Sequence, residues 1–121
     1  MYATIDIGTN SVLLLIAAWQ HGKLAVHRDE AEITRLGAGL HQSHTFSEAA
    51  KKRTLAVLEN YQAFCVQEKV KKVIVAGMSA FRRAQNGPEF LQEIAAKFGW
   101  KPKLLSGEEE AKLACFQRKP E

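Results

Sequence analysis

The stretch Val12-Leu13-Leu14-Leu15-Ile16-Ala17-Ala18 constrains this chain most, because it offers no polar residue to either side of a strand. A continuous apolar run bounded by turn formers reads as a strand covered on both faces, which requires a layered fold with a sheet inside. The residues before it alternate: Ala3, Ile5 and Ile7 on one side, Thr4 and Asp6 on the other. That pattern reads as a second, half-buried strand. Only Gly8-Thr9-Asn10-Ser11 separates the two, so they form a tight hairpin around a polar turn.

The rest of the chain builds outward from that hairpin. His21-Gly22-Lys23 is a turn into a third, more polar strand from about Leu24 to about Ile33, placed nearer an edge. Gly37-Ala38-Gly39 marks a loop. Ser47 is the expected N-cap of a first long helix, whose inner stripe reads as Leu55, Leu58, Tyr61 and Cys65. Val73–Gly77 is a short buried strand. A second helix starts near Pro88, turns Phe90, Leu91, Ile94 and Phe98 inward, and ends at Gly99. Lys103-Leu104-Leu105 is a fifth strand, and Ser106-x-x-Glu109 is a capping box opening a last helix. The order βββαβαβα gives an α/β fold: a five-stranded mixed sheet with helices on its faces, in a ribonuclease-H-like layout. Ligands in such folds bind at strand ends, which is where the Asp6 turn and the last helix fall.

Bulk properties narrow the function classes. A chain of 121 residues with 46% hydrophobic content can bury a core without a disulfide or metal staple. Its net charge of +4 suits an anionic ligand. The basic residues sit in short clusters rather than a stripe interleaved with aromatics, which argues against nucleic acid. Cys65 and Cys115 lie far apart, as expected for reduced thiols. His41-x-x-His44 lacks the companions of a metal site and reads as a surface loop. Val12–Trp19 is too short to span a bilayer, and no basic segment precedes it as in a signal peptide. A cytoplasmic protein without membrane contact is the expectation.

Three segments carry chemistry. In Asp6-x-Gly8-Thr9-Asn10-Ser11, Gly8 lets a ligand approach the backbone. Successive peptide N–H groups form an anion-binding concavity, and the Thr9 and Ser11 hydroxyls add donors. Asp6 beside them suits a hard cation held through water. An ordinary hairpin turn uses the same residue types, so the segment alone leaves both readings open. Arg82 and Arg83 follow a strand end, where a guanidinium can clamp phosphate oxygens or pair with a surface acid. Glu108, Glu109 and Glu110 occupy the first turn of the last helix, where the partial charge of the helix end favours carboxylates. Glu109 belongs to the capping box, and Glu108 precedes Lys112 by one turn. Glu110 shares the apolar side with Leu113 and Ala114, so it is the candidate for chemistry.

Ile5–Ser11, Ile33–Leu40, Ser79–Gly87 and Leu105–Ala111 together resemble segments of the exopolyphosphatase/guanosine-pentaphosphate phosphohydrolase (Ppx/GppA) family, in the same order. That family lies within the actin-like/sugar kinase/Hsp70 ATPase superfamily. The resemblance implies Mg2+-dependent hydrolysis of a phosphoanhydride, in polyphosphate or guanosine pentaphosphate. Gly8, Thr9, Asn10 and Ser11 match the family's first phosphate loop, Asp6 its carboxylate near the metal, and Arg82 its phosphate-binding arginine. Glu110 matches the glutamate that activates water, with Glu109 as the neighbouring alternative. Met78 departs from the small hydroxyl residue often found there. The family's second, Gly-rich phosphate loop follows in a second domain, and this sequence ends at Glu121 before it. The expectation is a single domain over residues 1–121, matching the family's first domain and inactive alone. It would pair with the second domain or with another copy. A non-enzymatic nucleotide- or phosphate-binding or self-associating module is the alternative.

Overall fold

The computed structural model describes residues 1–104 and Glu108. Five strands form one sheet: β1 (Tyr2–Ile7), β2 (Ser11–Gln20), β3 (Lys23–Ile33), β4 (Lys72–Gly77) and β5 (Lys103–Leu104). Their spatial order is β3-β2-β1-β4-β5. The β1–β2 and β2–β3 pairs are antiparallel, whereas β1–β4 and β4–β5 are parallel. The predicted mixed sheet is present, with the polar third strand at its edge. His21 and Gly22, both with positive φ, make the two-residue turn between β2 and β3 that matches strand twist.

Among the described residues four helices lie between the strands: α1 (Leu40–Ser43), α2 (Glu48–Gln67), α3 (Ser79–Arg83) and α4 (Gly87–Phe98). Ser47 caps α2, its side chain accepting a 3.1 Å hydrogen bond from the Ala50 N–H. Pro88 lies in the first turn of α4, and Gly99 closes that helix at φ 72°. The short helix α1 covers part of the His41-x-x-His44 segment that reads as a surface loop from sequence, and α3 lies in the arginine segment after β4, for which the residue pattern predicts no helix. The inner stripe of α2 also differs from expectation: it runs through Ala50, Thr54, Leu58, Tyr61 and Cys65, with Leu55 only half-buried. Thr54 is tolerated inside because its hydroxyl donates back to the Ala50 carbonyl at 2.9 Å.

Residue register divides the sheet into two unequal faces. Ala3, Ile5 and Ile7 pair with Ile16, Leu14 and Val12, and this face joins Leu58, Tyr61, Phe90 and Ile94 in one core. Thr4, Leu15 and Ile74 lie on the opposite face, and with Tyr2, Ala17, Trp19 and Leu24 they line a groove of about 480 Å3. Leu13 and Trp19 on β2 are 36% and 59% exposed. The apolar run of β2 is therefore covered on both sides over Leu14–Ala17, as its composition suggests, and stands open only toward its ends at Leu13 and beyond Ala18. Of the expected last helix only Glu108 is described, helical and exposed; the Ser106 capping box, the end of the fifth strand at Leu105, Cys115, Glu109 and Glu110 lie outside the described residues.

Two buried hydroxyls have opposite situations. The Tyr61 hydroxyl, on α2, donates to the Val12 carbonyl of β2 at 2.7 Å. Burial, and then the charges of Glu32 and Glu30, push its phenol well above the ordinary range, so it stays protonated and donating. Fully buried Thr34 has a hydroxyl with no hydrogen-bond partner among the described residues. Urea unfolding is expected to separate them. Tyr61→Phe strands a buried carbonyl and lowers stability by about 1–3 kcal/mol, whereas Thr34→Val is neutral or stabilising.

Candidate functional site

Because β1 and β4 are parallel, their carboxyl ends lie side by side, with Ile7 opposite Gly77. The chain leaves β1 into residues 8–10 and leaves β4 into Met78 and α3. The Met78 N–H donates to the Ile7 carbonyl at 3.2 Å, holding the two exits together. The Asp6 turn and the arginine segment therefore meet at one sheet end.

The turn is closed from within by the Gly8 N–H, which donates to the Ser11 carbonyl at 2.9 Å. It is held from outside by the segment following β3. Asn10 offers its carbonyl to two N–H groups, Thr34 at 2.9 Å and Arg35 at 3.0 Å. The Thr9 carbonyl accepts from the Gly37 N–H at 2.9 Å. Arg53 of α2 in turn holds this outer segment, donating from Nε to the Thr34 carbonyl at 2.8 Å and from Nη2 to the Arg35 carbonyl at 3.3 Å. Arg35 takes a left-handed backbone, φ 52°, to let the segment fold over the turn. The loop is thus fixed through its carbonyls, an arrangement that leaves its outer side to side chains: Asn10 is exposed, while Gly8, Thr9 and Ser11 are half-buried.

Asp6 is buried at 4% exposure, on the sheet face opposite the main core, beside Leu13 and Ala76. A carboxylate taken out of water calls for compensating positive charge or donors. Among the described residues no group of three or more His, Cys, Asp or Glu is arranged to hold a metal ion. One buried carboxylate beside a polar turn is nevertheless a donor set of the kind that suits Mg2+, which keeps several waters and takes few ligands from protein. Cys65 is buried on α2, and burial raises its thiol above the ordinary range, so it stays protonated and unreactive.

Arg82 and Arg83 are both exposed on α3. The Arg83 guanidinium Nη2 reaches the Thr9 hydroxyl at 3.4 Å. Adjacent helical positions diverge by roughly 100°, so sequence alone could not say which arginine faces the turn. Asn86 has a structural role: its side chain accepts from the Phe46 N–H at 2.8 Å and donates to the Phe46 carbonyl at 3.1 Å. With the Gln85 N–H donating to the His44 carbonyl at 2.7 Å, this anchors the far end of α3.

The Ppx/GppA phosphatase family model matches residues 15–117. The chain belongs to that family. A guanosine-5'-triphosphate,3'-diphosphate pyrophosphatase of Aeromonas hydrophila is 32% identical over 112 residues, covering 93% of this chain and 23% of the relative. The Aquifex aeolicus Ppx/GppA family member superposes with a TM-score of 0.88 at 34% identity, over 99% of this chain and 40% of that one. An exopolyphosphatase from Cytophaga hutchinsonii gives 0.87 at 27% identity, over 93% and 36%. The fold is accordingly that of the Ppx/GppA phosphatases, an actin-like ATPase fold, and the family-level role is that of a hydrolase. This chain spans under a quarter of the length of that curated relative.

Gly37 tests how tightly the two segments fit. A Cβ there would stand 2.4 Å from Thr9 Cγ2, closer than packed atoms tolerate. Gly37→Ala is expected to cost about 1–3 kcal/mol by urea unfolding. Adding Thr9→Ser removes the obstructing methyl, and the double variant should regain most of the loss. A double variant no more stable than Gly37→Ala would show that the strain lies elsewhere.

Proposed function

We propose that this chain forms one wall of a site that hydrolyses a phosphoanhydride, either the terminal phosphate of polyphosphate or the 5′ γ-phosphate of guanosine pentaphosphate. The observation that carries the reading is the turn at residues 8–11, clasped at the carboxyl end of β1 with a buried carboxylate before it and two arginines beside it. The two substrates are those named for the Aeromonas and Cytophaga relatives.

In this reading Gly8 shapes the turn, and Thr9, Asn10 and Ser11 bind phosphate oxygens through backbone and side-chain donors. Arg82 is the arginine that matches the family's phosphate ligand. Asp6 holds Mg2+, which when bound neutralises charge on the phosphate oxygens. Glu110 orients the attacking water; it lies outside the described residues, and its role rests on the resemblance and on its place beside Leu113 and Ala114 in the sequence. A rigid turn contributes to such chemistry by placement and by fixed dipoles that need no rearrangement during the reaction. No helix among the described residues is long and apolar enough to cross a membrane; the cytoplasmic setting proposed for this chain rests on the phosphate substrates alone.

A self-associating module without activity is the competing reading, and the exposed Tyr2, Trp19 and Ile74 side chains favour it. Light scattering separates the two: an assembly indifferent to tripolyphosphate supports the module.

Titration of tripolyphosphate into the 121-residue chain, followed by amide resonances, tests the site. Saturable shifts centred on Gly8–Ser11 and α3 are expected, with Mg2+ tightening binding and Asp6→Asn removing that tightening. Shifts spread over the whole surface would contradict the assignment. In any form of the protein that turns over, Glu110→Gln should abolish phosphate release while sparing the thermal midpoint. Retained release would transfer the role to Glu109 or to neither.

A further inference from the structure

Arg83 stands apart from the other arginines whose contacts define the fold. Arg28 is spent on Glu30 at 3.0 Å and Glu68 at 3.6 Å, and it stacks over the Phe64 ring at 3.9 Å. Arg53 is spent on the carbonyls of Thr34 and Arg35. Arg83 has no carboxylate within 4.0 Å among the described residues. Its hydrogen bond goes instead to the Thr9 hydroxyl, across 74 positions of sequence and in solvent.

A 3.4 Å bond between an exposed guanidinium and an exposed neutral hydroxyl contributes little to stability, because it must offset the rotamer entropy of a long side chain. Its effect on charge and donor direction is larger. A threonine hydroxyl has one proton to give and two lone pairs to offer. With Arg83 filling the acceptor side of Thr9, the hydroxyl proton is directed away from Arg83. The remaining guanidinium donors of Arg83 lie beside it. One anionic oxygen can then accept from Thr9 and from Arg83 together. The fork of donors suits a tetrahedral phosphate, and charge-assisted bonds of this kind are about twice as strong as neutral ones.

We infer that Arg83 is an anion-binding residue of this site, sharing a phosphate group of a phosphoanhydride chain with Thr9, in addition to the arginine that the family resemblance designates. The inference rests on the phosphate reading of the turn and sharpens it: the first loop works as a turn and a cation together.

The test is calorimetric titration of tripolyphosphate into the 121-residue chain and its Arg83→Ala and Arg83→Lys variants, with thermal midpoints as the control for folding. Arg83→Ala should weaken binding by about tenfold or more with an unchanged midpoint. Arg83→Lys, which keeps the charge and loses the fork, should recover part of the affinity. Raising salt should weaken the original chain more steeply than Arg83→Ala. Binding by Arg83→Ala within twofold of the original chain overturns the role of Arg83 and leaves the turn as the phosphate site. A drop in affinity matched by a fallen midpoint and not restored by lysine also overturns it, making Arg83 a clip for the turn. Absence of saturable binding by the original chain overturns the phosphate reading and this inference together.

Discussion

Everything at this sheet end depends on three backbone hydrogen bonds that clasp the turn after β1: Thr34 and Arg35 to the Asn10 carbonyl, and Gly37 to the Thr9 carbonyl. A three-residue connection between antiparallel strands has several turn conformations available to it. These bonds select one by capturing its carbonyls from a distant segment. The same segment is held by Arg53 of α2, and α2 is held to β2 by the Tyr61 hydroxyl on the Val12 carbonyl. The supports form a closed circuit: turn, outer segment, helix, strand, and back to the turn. Fixing a loop before its ligand arrives removes an ordering cost that binding would otherwise carry.

A second circuit positions the arginines. α3 leaves β4 beside the turn, with Met78 bonded to Ile7 at one end and Gln85 and Asn86 bonded to His44 and Phe46 at the other. Phe81 of α3 stacks on Phe90 at 6.0 Å and meets Phe46 edge-on at 5.2 Å, so this short helix is anchored by aromatic packing rather than by its own length. Arg83 reaches Thr9 from a fixed base.

Local chemistry made much of this legible in the sequence. Ser47, Pro88, Gly99 and the His21-Gly22 turn each act through near neighbours, and each sits where its residue type predicts. The β1–β2 hairpin and the edge position of β3 followed from the alternation of β1, the apolar run of β2 and the polar character of β3. What sequence could not show depends on side-chain hydrogen bonding and on how the elements are turned against one another. Thr54 enters the core in place of Leu55 because a back-bond to Ala50 satisfies its hydroxyl, which hydropathy cannot register. Leu13 and Trp19 are exposed although the run they belong to is apolar on both sides. The motif at Ile33–Leu40 was recognisable by resemblance, but its physical task of clasping Thr9 and Asn10 shows only in the fold. Choosing between Arg82 and Arg83 as the contact to Thr9 required the rotation of α3, which neighbouring sequence does not encode.

The central claim is that the turn is built in its binding shape before any phosphate arrives. Amide hydrogen exchange on the ligand-free chain tests it most directly. The Thr34, Arg35 and Gly37 amides are expected to exchange slowly without ligand, with protection comparable to the β1–β2 ladder, and tripolyphosphate is expected to add little to it. Rapid exchange of these three amides in the free chain, slowed only on adding tripolyphosphate, would show that the ligand makes the clasp and would contradict the account.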